Sequence, residues 1–401
     1  MKPMHVRFPE VLIWFFLIIQ GCAVEETGSP PPTDVLYYPG FAVAHPQGRY
    51  LYINNTVLDR RFNAGTLSVY DTFEHRLLEQ ATLDVPLFGG RIALVPHADE
   101  TLYAVLSDRD QHTLSALGIA AEMGDDDAHI APIESYSEFD ERPMARDPFD
   151  IATDVEGLLV GHLAAGVVSR WHYNQSDEDQ FGLVYGCSLT LPGGAHQVVR
   201  HPMLGWWYVA DRLTSSIWIV SERPKEDPSD ATCQLTIEGA INLGNVTSRA
   251  LTFNPQGSRL FVVSSTDGAL RMFDTTLTAD GQPKNELIGR IALGDNPLTV
   301  KWGPCGGMGS HNDSCDRPNA KTTALLYVPL FSRNEVAVVD PDTLTIVARI
   351  KVGQGPYDIV FMTDAQGRMK GYVTHFVTNE LGELDLEPGS ENRFTTRAYI
   401  R

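Results

Sequence analysis

The chain has 401 residues and a formal net charge of −20, and 43% of its residues are hydrophobic while 20% are charged. Such a negative body repels phosphate, so the sequence excludes nucleic acid as a partner. The length suits two or three ordinary domains or one large repeat fold.

The N-terminus has the layout of an export signal. Lys2 and Arg7 precede an unbroken apolar run at residues 11–19, which is too short to span a bilayer. The run ends in the tripeptide at residues 20–22, whose sequence is Gln-Gly-Cys. A basic start, a short apolar core and a small residue before the cut predict that residues 1–21 are a secretory signal peptide.

The cysteine at this point adds a second expectation. With Cys22 directly after Gly21, the segment resembles a bacterial lipoprotein signal, and the resemblance implies that Cys22 carries lipid. Ala23 then favours the outer membrane over the inner one, with the body facing the periplasm or the cell surface. A plain signal peptide with an incidental cysteine is the alternative. Residues 22–34, which include three consecutive prolines, are predicted to form a lipidated tether, and residues 35–401 one domain.

Four further cysteines remain in the chain. An even number of cysteines in an exported protein predicts disulfides, for which three pairings are possible. We favour Cys187–Cys233 together with Cys305–Cys315, the second of which closes a short glycine-containing loop. The sequence has no Cys-x-x-Cys pair, so it predicts no zinc site, and we expect neither a metal nor a cofactor.

Internal repeats decide the fold. Each unit contains about four short runs of alternating or β-branched residues, separated by turns rich in Gly, Pro, Asn and Asp. Seven repeat starts align, 47 to 59 residues apart, at Phe41, Arg91, Phe149, His196, Arg249, Leu298 and Tyr357. This period predicts an all-β, seven-bladed β-propeller with four antiparallel strands per blade.

The last repeats carry a family resemblance. "YVPLFSRNEVAVVDPDTLTIVARIKVG" at residues 327–353 and "YVTHFVTNELGELDL" at residues 372–386 resemble the YVTN-repeat family of bacterial seven-bladed propellers, which are related in shape to lactonase-like propellers. The resemblance is weaker between residues 87 and 190. Residues 394–400 are predicted to be the last blade's own fourth strand, and residues 35–38 either add beside it or lead into the first blade.

The innermost strand of each blade lines the channel of a propeller, so residues near the repeat starts are candidates for a ligand site at one mouth. Two stacked rings of side chains are expected there. The seven repeat starts form one ring. The second ring consists of the residues that follow them, namely Ala42, Ile92, Asp150, Gln197, Ala250, Thr299 and Asp358. The predicted ligand site comprises Arg91, Phe149, Asp150, His196, Gln197, Arg249, Thr299, Tyr357 and Asp358.

These residue types leave two interpretations open. Arg91 and Arg249 suit a carboxylate or phosphate, and Phe149 and Tyr357 suit a sugar face, so the mouth would bind a small anionic or glycan ligand. Alternatively, Arg and Asp side chains pair with each other and hold the blades together. A catalytic role for His196 lacks support, because the sequence shows no Ser–His–Asp set and no HExxH motif.

The sequence therefore favours an envelope-anchored lipoprotein propeller that binds or scaffolds, with an envelope protein or a small ligand as its partner and with the membrane reached through the lipid. The alternative is a lactonase-like small-molecule hydrolase at the channel mouth. A third possibility is a structural subunit of an outer-membrane complex. A dry, narrow channel crossed by Arg–Asp pairs would favour the scaffold, and a well-formed apolar-walled pocket with an ordered metal would favour the enzyme.

Overall fold

The computed structural model describes residues 28–96, 102–119, 144–174, 181–223, 233–303 and 324–401. Within these ranges the chain forms seven antiparallel sheets, each built from consecutive strands, and one short 3-10 turn at Glu79–Ala81. The predicted all-β, seven-bladed propeller is confirmed. None of the helices in the described ranges is long and apolar enough to cross a membrane.

The strands follow chain order from the channel outwards. Blade one contains β1 (Pro39–Ala44), β2 (Tyr50–Asn55), β3 (Gly65–Asp71), β4 (Arg76–Leu77) and β5 (Leu83–Val85). Blade two contains β6 (Gly89–Pro96), β7 (Leu102–Asp108) and β8 (Thr113–Ile119). Blade three contains β9 (Pro148–Thr153), β10 (Gly157–His162), β11 (Val167–Tyr173) and β12 (Leu183–Thr190). Blade four contains β13 (Ala195–Arg200), β14 (Trp206–Asp211), β15 (Ser216–Glu222) and β16 (Leu235–Asn242).

The last three blades repeat the four-stranded pattern. Blade five contains β17 (Ala250–Phe253), β18 (Arg259–Ser264), β19 (Ala269–Asp274) and β20 (Glu286–Ala292). Blade six contains β21 (Lys301–Trp302), β22 (Leu326–Leu330), β23 (Glu335–Asp340) and β24 (Thr345–Lys351). Blade seven contains β25 (Pro356–Thr363), β26 (Met369–His375), β27 (Glu380–Asp385) and β28 (Thr395–Ile400).

Blades one and two depart from the regular pattern. In blade one β4 and β5 both pair with β3, at opposite ends, so the 3-10 turn divides the outermost strand in two. In blade two the described residues supply three strands.

The core is divided among the seams between blades. Seven clusters of buried apolar side chains each join two neighbouring blades, and an eighth sits at the centre. Aromatic residues at equivalent positions of the second strands take part in six of them, namely Tyr52, Tyr103, Tyr208, Phe261, Tyr327 and Tyr372. A lone four-stranded sheet leaves both faces wet, so stacking of blades supplies the main hydrophobic stabilisation.

Aspartates at the ends of third strands shape the turns. Asp71 Oδ1 accepts hydrogen bonds from the backbone N–H groups of Phe73 (2.9 Å) and Glu74 (3.2 Å). Asp340 Oδ1 accepts them from Asp342 (2.8 Å) and Thr343 (3.2 Å). A carboxylate that binds turn amides replaces the partners those amides lose when the strand ends, so these residues are structural.

One predicted disulfide joins two blades at the rim. Cys187 in β12 is bonded to Cys233, which precedes β16, with a Cα–Cα distance of 5.3 Å. The outermost strands of blades three and four are thereby tied together covalently. The predicted Cys305–Cys315 bond, the signal peptide and Cys22 lie outside the described residues.

The ring closes by contact between complete blades. The predicted fourth strand of blade seven is β28, which pairs with β27, while residues 35–38 are not part of a strand. Leu36 instead packs beside Tyr372 in the cluster between blades seven and one. Upstream, the backbone carbonyl of Ser29 accepts a hydrogen bond of 3.1 Å from the N–H of Asn63, so the described end of the predicted tether lies against blade one.

Candidate recognition site at the channel mouth

The first strands of five blades are irregular where they reach the channel mouth. The pairing of first with second strand shifts at this point, which leaves an extra residue on the inner strand. The residues within these irregularities include Phe41, Arg91, Phe149, His196 and Tyr357. A β-bulge bends the strand and re-aims the side chain at the bulge, which explains how residues of the predicted first ring turn towards the axis.

The predicted first ring is assembled around one cavity. All seven repeat-start residues line it, together with Gln197, Ala250 and Thr299 of the second ring. The cavity volume is about 10 Å³, which is room for about one water molecule. The aligned repeat starts therefore meet at one cavity, but the channel at this level has no space for a sugar.

Aromatic side chains fill the centre. Phe41 makes edge contacts with Phe149 and Tyr357, at centroid distances of 6.0 and 5.2 Å. The ring of His196 lies 4.4 Å from that of Phe149. Leu163 completes this central cluster. The aromatic residues predicted to stack on a ligand pack mainly on each other.

One pair of ring residues crosses from blade two to blade three. Nε of Arg91 donates to the carboxylate of Asp150, which is 1% exposed, and the guanidinium lies 4.6 Å from the centroid of Phe41. The second carboxylate oxygen of Asp150 accepts a 2.8 Å hydrogen bond from the N–H of Val198 in blade four. Burial raises the pKa of Asp150, and Arg91 opposes that shift. Arg91 is thus committed to an intramolecular partner.

A second ion pair joins blades six and seven. Lys301 Nζ lies 3.3 Å from the carboxylate of Asp358, which is fully buried. Burial lowers the pKa of Lys301, and the attraction of Asp358 opposes this. Lys301 begins the very short strand β21, two residues beyond the predicted second-ring position Thr299, so the repeat alignment did not find it.

Among the described residues, hydrogen bonds between a side chain and a backbone group at this level also join most pairs of neighbouring blades. The donor or acceptor comes from one blade and its partner from the first strand of the neighbour, at distances of 2.6 to 3.5 Å. Six of the seven seams contain such a bond: Asn54 to Gly90 O, Ser107 to Phe149 O, Val198 N to Asp150, Leu251 N to Gln197, Thr299 to Tyr357 O and Thr374 to Gly40 O. Asp150, Gln197 and Thr299 therefore act as seam residues.

The opposite side of the mouth is built differently. His196 is 4% exposed, and neither ring nitrogen has a hydrogen-bond partner in the described structure. Burial lowers its pKa well below the ordinary value, and nearby Arg249 and Arg212 lower it further, while an interaction with the backbone of Arg249 opposes the shift. Nε of Arg249 also lacks a partner within the described residues, and burial, Arg212 and Arg109 lower the pKa of its guanidinium.

Arg109 contributes to this side from a turn. It follows β7, donates from Nε to Asp147 Oδ1 at 2.6 Å, and lies 4.6 Å from the centroid of Phe149. Arg212, in the equivalent turn of blade four, has an exposed side chain. Sequence comparison of repeats missed both arginines because turns differ between blades. Their shared position directly after the aspartate that ends a second strand is the signal that could have found them.

A cluster of metal-ligand types lies at the rim, away from the mouth. Side-chain atoms of His172, Glu222 and Cys233 lie within 4.8 Å of one another. Cys233 is consumed by its disulfide with Cys187, so its sulfur offers no thiolate. The cluster does not provide a metal site in the oxidised protein.

The fold has many solved counterparts, although no protein-family model and no curated protein matches the sequence. A 6-phosphogluconolactonase candidate from Bacteroides fragilis is similar with a TM-score of 0.59 and 15% identity, over 90% of this chain and 100% of that one. The periplasmic gluconolactonase of Pseudomonas aeruginosa gives a TM-score of 0.56 and 16% identity, over 81% of this chain and 88% of that one. Hydrazine synthase of Kuenenia stuttgartiensis gives a TM-score of 0.55 and 13% identity, over 91% of this chain and 98% of that one. At such identities these likenesses show a shared propeller fold, including that of lactonase-like propellers.

Proposed function

We propose that this chain is a non-enzymatic binding or scaffolding propeller of the bacterial envelope, which presents the face around its channel mouth to a partner. The observation that carries the proposal is the cavity of about 10 Å³ inside the predicted ring. Arg91, Asp150 and Asp358 are committed to ion pairs across blade seams. A substrate cannot enter a space of this size, so recognition must take place at the mouth and on the surrounding loops.

The envelope location is part of the same proposal. It rests on the lipoprotein-like signal at residues 1–22, followed by a tether and an acidic body. Lipidation of Cys22 would hold the propeller at the outer membrane, facing the periplasm or the outside. The disulfide between Cys187 and Cys233 supports export, because such bonds persist in oxidising compartments.

Turnover assays and a channel variant test the binding function against hydrolysis. We expect the purified protein to hydrolyse δ-gluconolactone and related lactones no faster than buffer does. We expect Arg91→Met to lower the melting temperature, because it leaves Asp150 buried without its partner. Lactone turnover that disappears in His196→Ala would refute the proposal and establish the lactonase-like alternative. An unchanged melting temperature in Arg91→Met would show that the ion pair does not serve the fold.

A further inference from the structure

On the cationic side of the channel mouth, Arg249 forms no ion pair with any residue that the structure describes. Arg249 lines the cavity, and its Nε has no hydrogen-bond partner within the described residues. Among its neighbours, Tyr357 raises the pKa of Arg249, whereas Arg212 and Arg109 lower it, and Arg109 is itself paired with Asp147. A mostly buried guanidinium without an anion is unfavourable, because its lost hydration is not replaced.

His196 supplies a second unpartnered group on the same wall. It lines the same cavity and is 4% exposed, and neither ring nitrogen has a hydrogen-bond partner of good geometry among the described residues, although the backbone of Arg249 interacts with the ring. Its neutral form still carries one N–H donor. Across the mouth, Arg91 and Lys301 have Asp150 and Asp358 as partners. The imbalance is therefore local to the side formed by blades four and five.

We infer that Arg249 and His196 form a site for one small carboxylate at the channel mouth. This inference rests on the proposed binding function and names the chemistry that the mouth recognises. The cavity has room for about one water-sized group, so one oxygen of the carboxylate would point inwards while the rest of the molecule stays at the rim. A guanidinium edge matches the two oxygens of a carboxylate, and the imidazole N–H can donate to one of them.

Chloride is the competing occupant, since it also fits a space of this size. Phe149 and Tyr357 line the cavity, and their apolar surfaces can contact the carbon body of an organic acid, which chloride lacks. The planar donor set of arginine likewise favours two oxygens over one spherical ion.

Calorimetric titration of the full chain with sodium acetate in chloride-free HEPES buffer tests the site. Acetamide, which has the same shape without the charge, is the control ligand. We expect acetate to bind, acetamide not to bind, and both Arg249→Met and His196→Gln to weaken acetate binding, the former by about tenfold or more. Arg223→Gln removes an exposed positive charge elsewhere and is the matched control, which should bind like the wild type.

Melting temperatures separate a ligand site from a structural role. Without added anion, Arg249→Met should melt at or above the wild-type temperature, because methionine removes an unpaired buried cation. Acetate should raise the melting temperature of the wild type and of Arg223→Gln more than that of Arg249→Met. Absence of acetate binding, binding of chloride alone, or equal weakening in Arg223→Gln would each overturn the inference. Because acetate binding needs neither turnover nor a protein partner, these failures leave the proposed binding function standing.

Discussion

Oγ1 of Thr374 in the last blade donates a 2.7 Å hydrogen bond to the backbone carbonyl of Gly40 in the first blade. The two residues are 334 positions apart, and the bond lies at the seam that closes the ring. Thr374→Val keeps the shape but leaves the Gly40 carbonyl buried without this donor, and it also removes the acceptor of a 3.0 Å bond from the Asp358 N–H. We expect a loss of about 1–3 kcal/mol in the free energy of unfolding. Thr374→Ser retains the hydroxyl and should stay closer to the wild type in calorimetric melting; equal losses in both variants would argue against the bond.

Removal of the charge from Asp150 should be costly. Asp150→Asn can still accept a bond from Val198, but it leaves Arg91 without its carboxylate, so we expect about 3 kcal/mol of destabilisation in urea unfolding. Asp342→Asn is the control, because Asp342 pairs with Arg259 at 2.6 Å on the exposed surface. Surface pairs contribute about 0–1 kcal/mol, so this control should change little. Similar losses in the two variants would contradict a special role for the buried pair.

The disulfide at the rim should stabilise the fold through loop closure. Cys187 and Cys233 are 46 residues apart, and the chain-entropy model gives about 4 kcal/mol for a loop of that length. The double variant Cys187→Ser with Cys233→Ser should therefore melt lower than the wild type. Non-reducing peptide mapping should find the linked pair in the wild type. An unlinked wild type, or an unchanged melting temperature, would be evidence against this bond.

Acid should weaken the fold through its buried histidines. His162 Nδ1 lies 2.9 Å from the carbonyl of Ala145, and Nε2 lies 2.8 Å from Ser169 Oγ, which receives a 2.9 Å bond from the Trp171 indole. Burial lowers the pKa of His162 to about 4, so the folded protein favours the neutral ring. The contribution of neutral His162 to the free energy of unfolding is fully present above pH 6.5 and is lost as the pH falls towards 4.

The size of this effect follows from the shift. The difference between a pKa of about 6.5 in the unfolded chain and about 4 in the folded protein corresponds to at most about 3 kcal/mol in the free energy of unfolding. Urea unfolding between pH 7.5 and 4.5 measures it. His162→Gln, which does not titrate, should be less stable at neutral pH but should lose less stability on acidification. A pH dependence equal to that of the wild type would show that His162 is not responsible.

The lipid anchor is testable by cell fractionation. Cys22→Ser removes the acceptor of the lipid, so we expect the protein to leave the membrane fraction and to appear in the soluble one. Metabolic labelling with a fatty acid provides an independent measurement, in which the wild type should carry the label on a gel and Cys22→Ser should not. Retention of the variant in the membrane fraction would contradict anchoring through Cys22.

The sequence predicted the architecture and the position of the mouth because both depend on a repeated pattern. Alternation of apolar residues and turn residues every 50 or so positions defines blades, and their starts define the innermost strands. All seven aligned starts, from Phe41 to Tyr357, line one cavity. The interpretation of Arg and Asp as partners of each other is the one that describes Arg91 and Asp150.

The contacts of the individual side chains at the mouth could not be predicted, because they depend on features that do not recur from repeat to repeat. Bulges that turn His196 and Tyr357 inwards come from a local mismatch between two strands, which no single strand encodes. Arg109 and Lys301 act from positions outside the aligned columns. Arg91 has an ion-pair partner, whereas Nε of Arg249 has no partner among the described residues. This difference depends on the neighbouring blade, whose residues lie about 50 positions away.

Ring closure without an exchanged strand has a mechanical consequence. Each of the first six seams is spanned by the continuous chain. Within the described residues, blades seven and one meet through side-chain packing, such as that of Tyr372 and Leu36, and through hydrogen bonds such as those from Thr374 to Gly40 and from the N–H of Tyr38 to Asn379. A pulling force applied between residues 35 and 401 therefore acts directly across this seam. Under such a force the seam between blades seven and one should separate first. The Cys187–Cys233 disulfide should keep blades three and four joined.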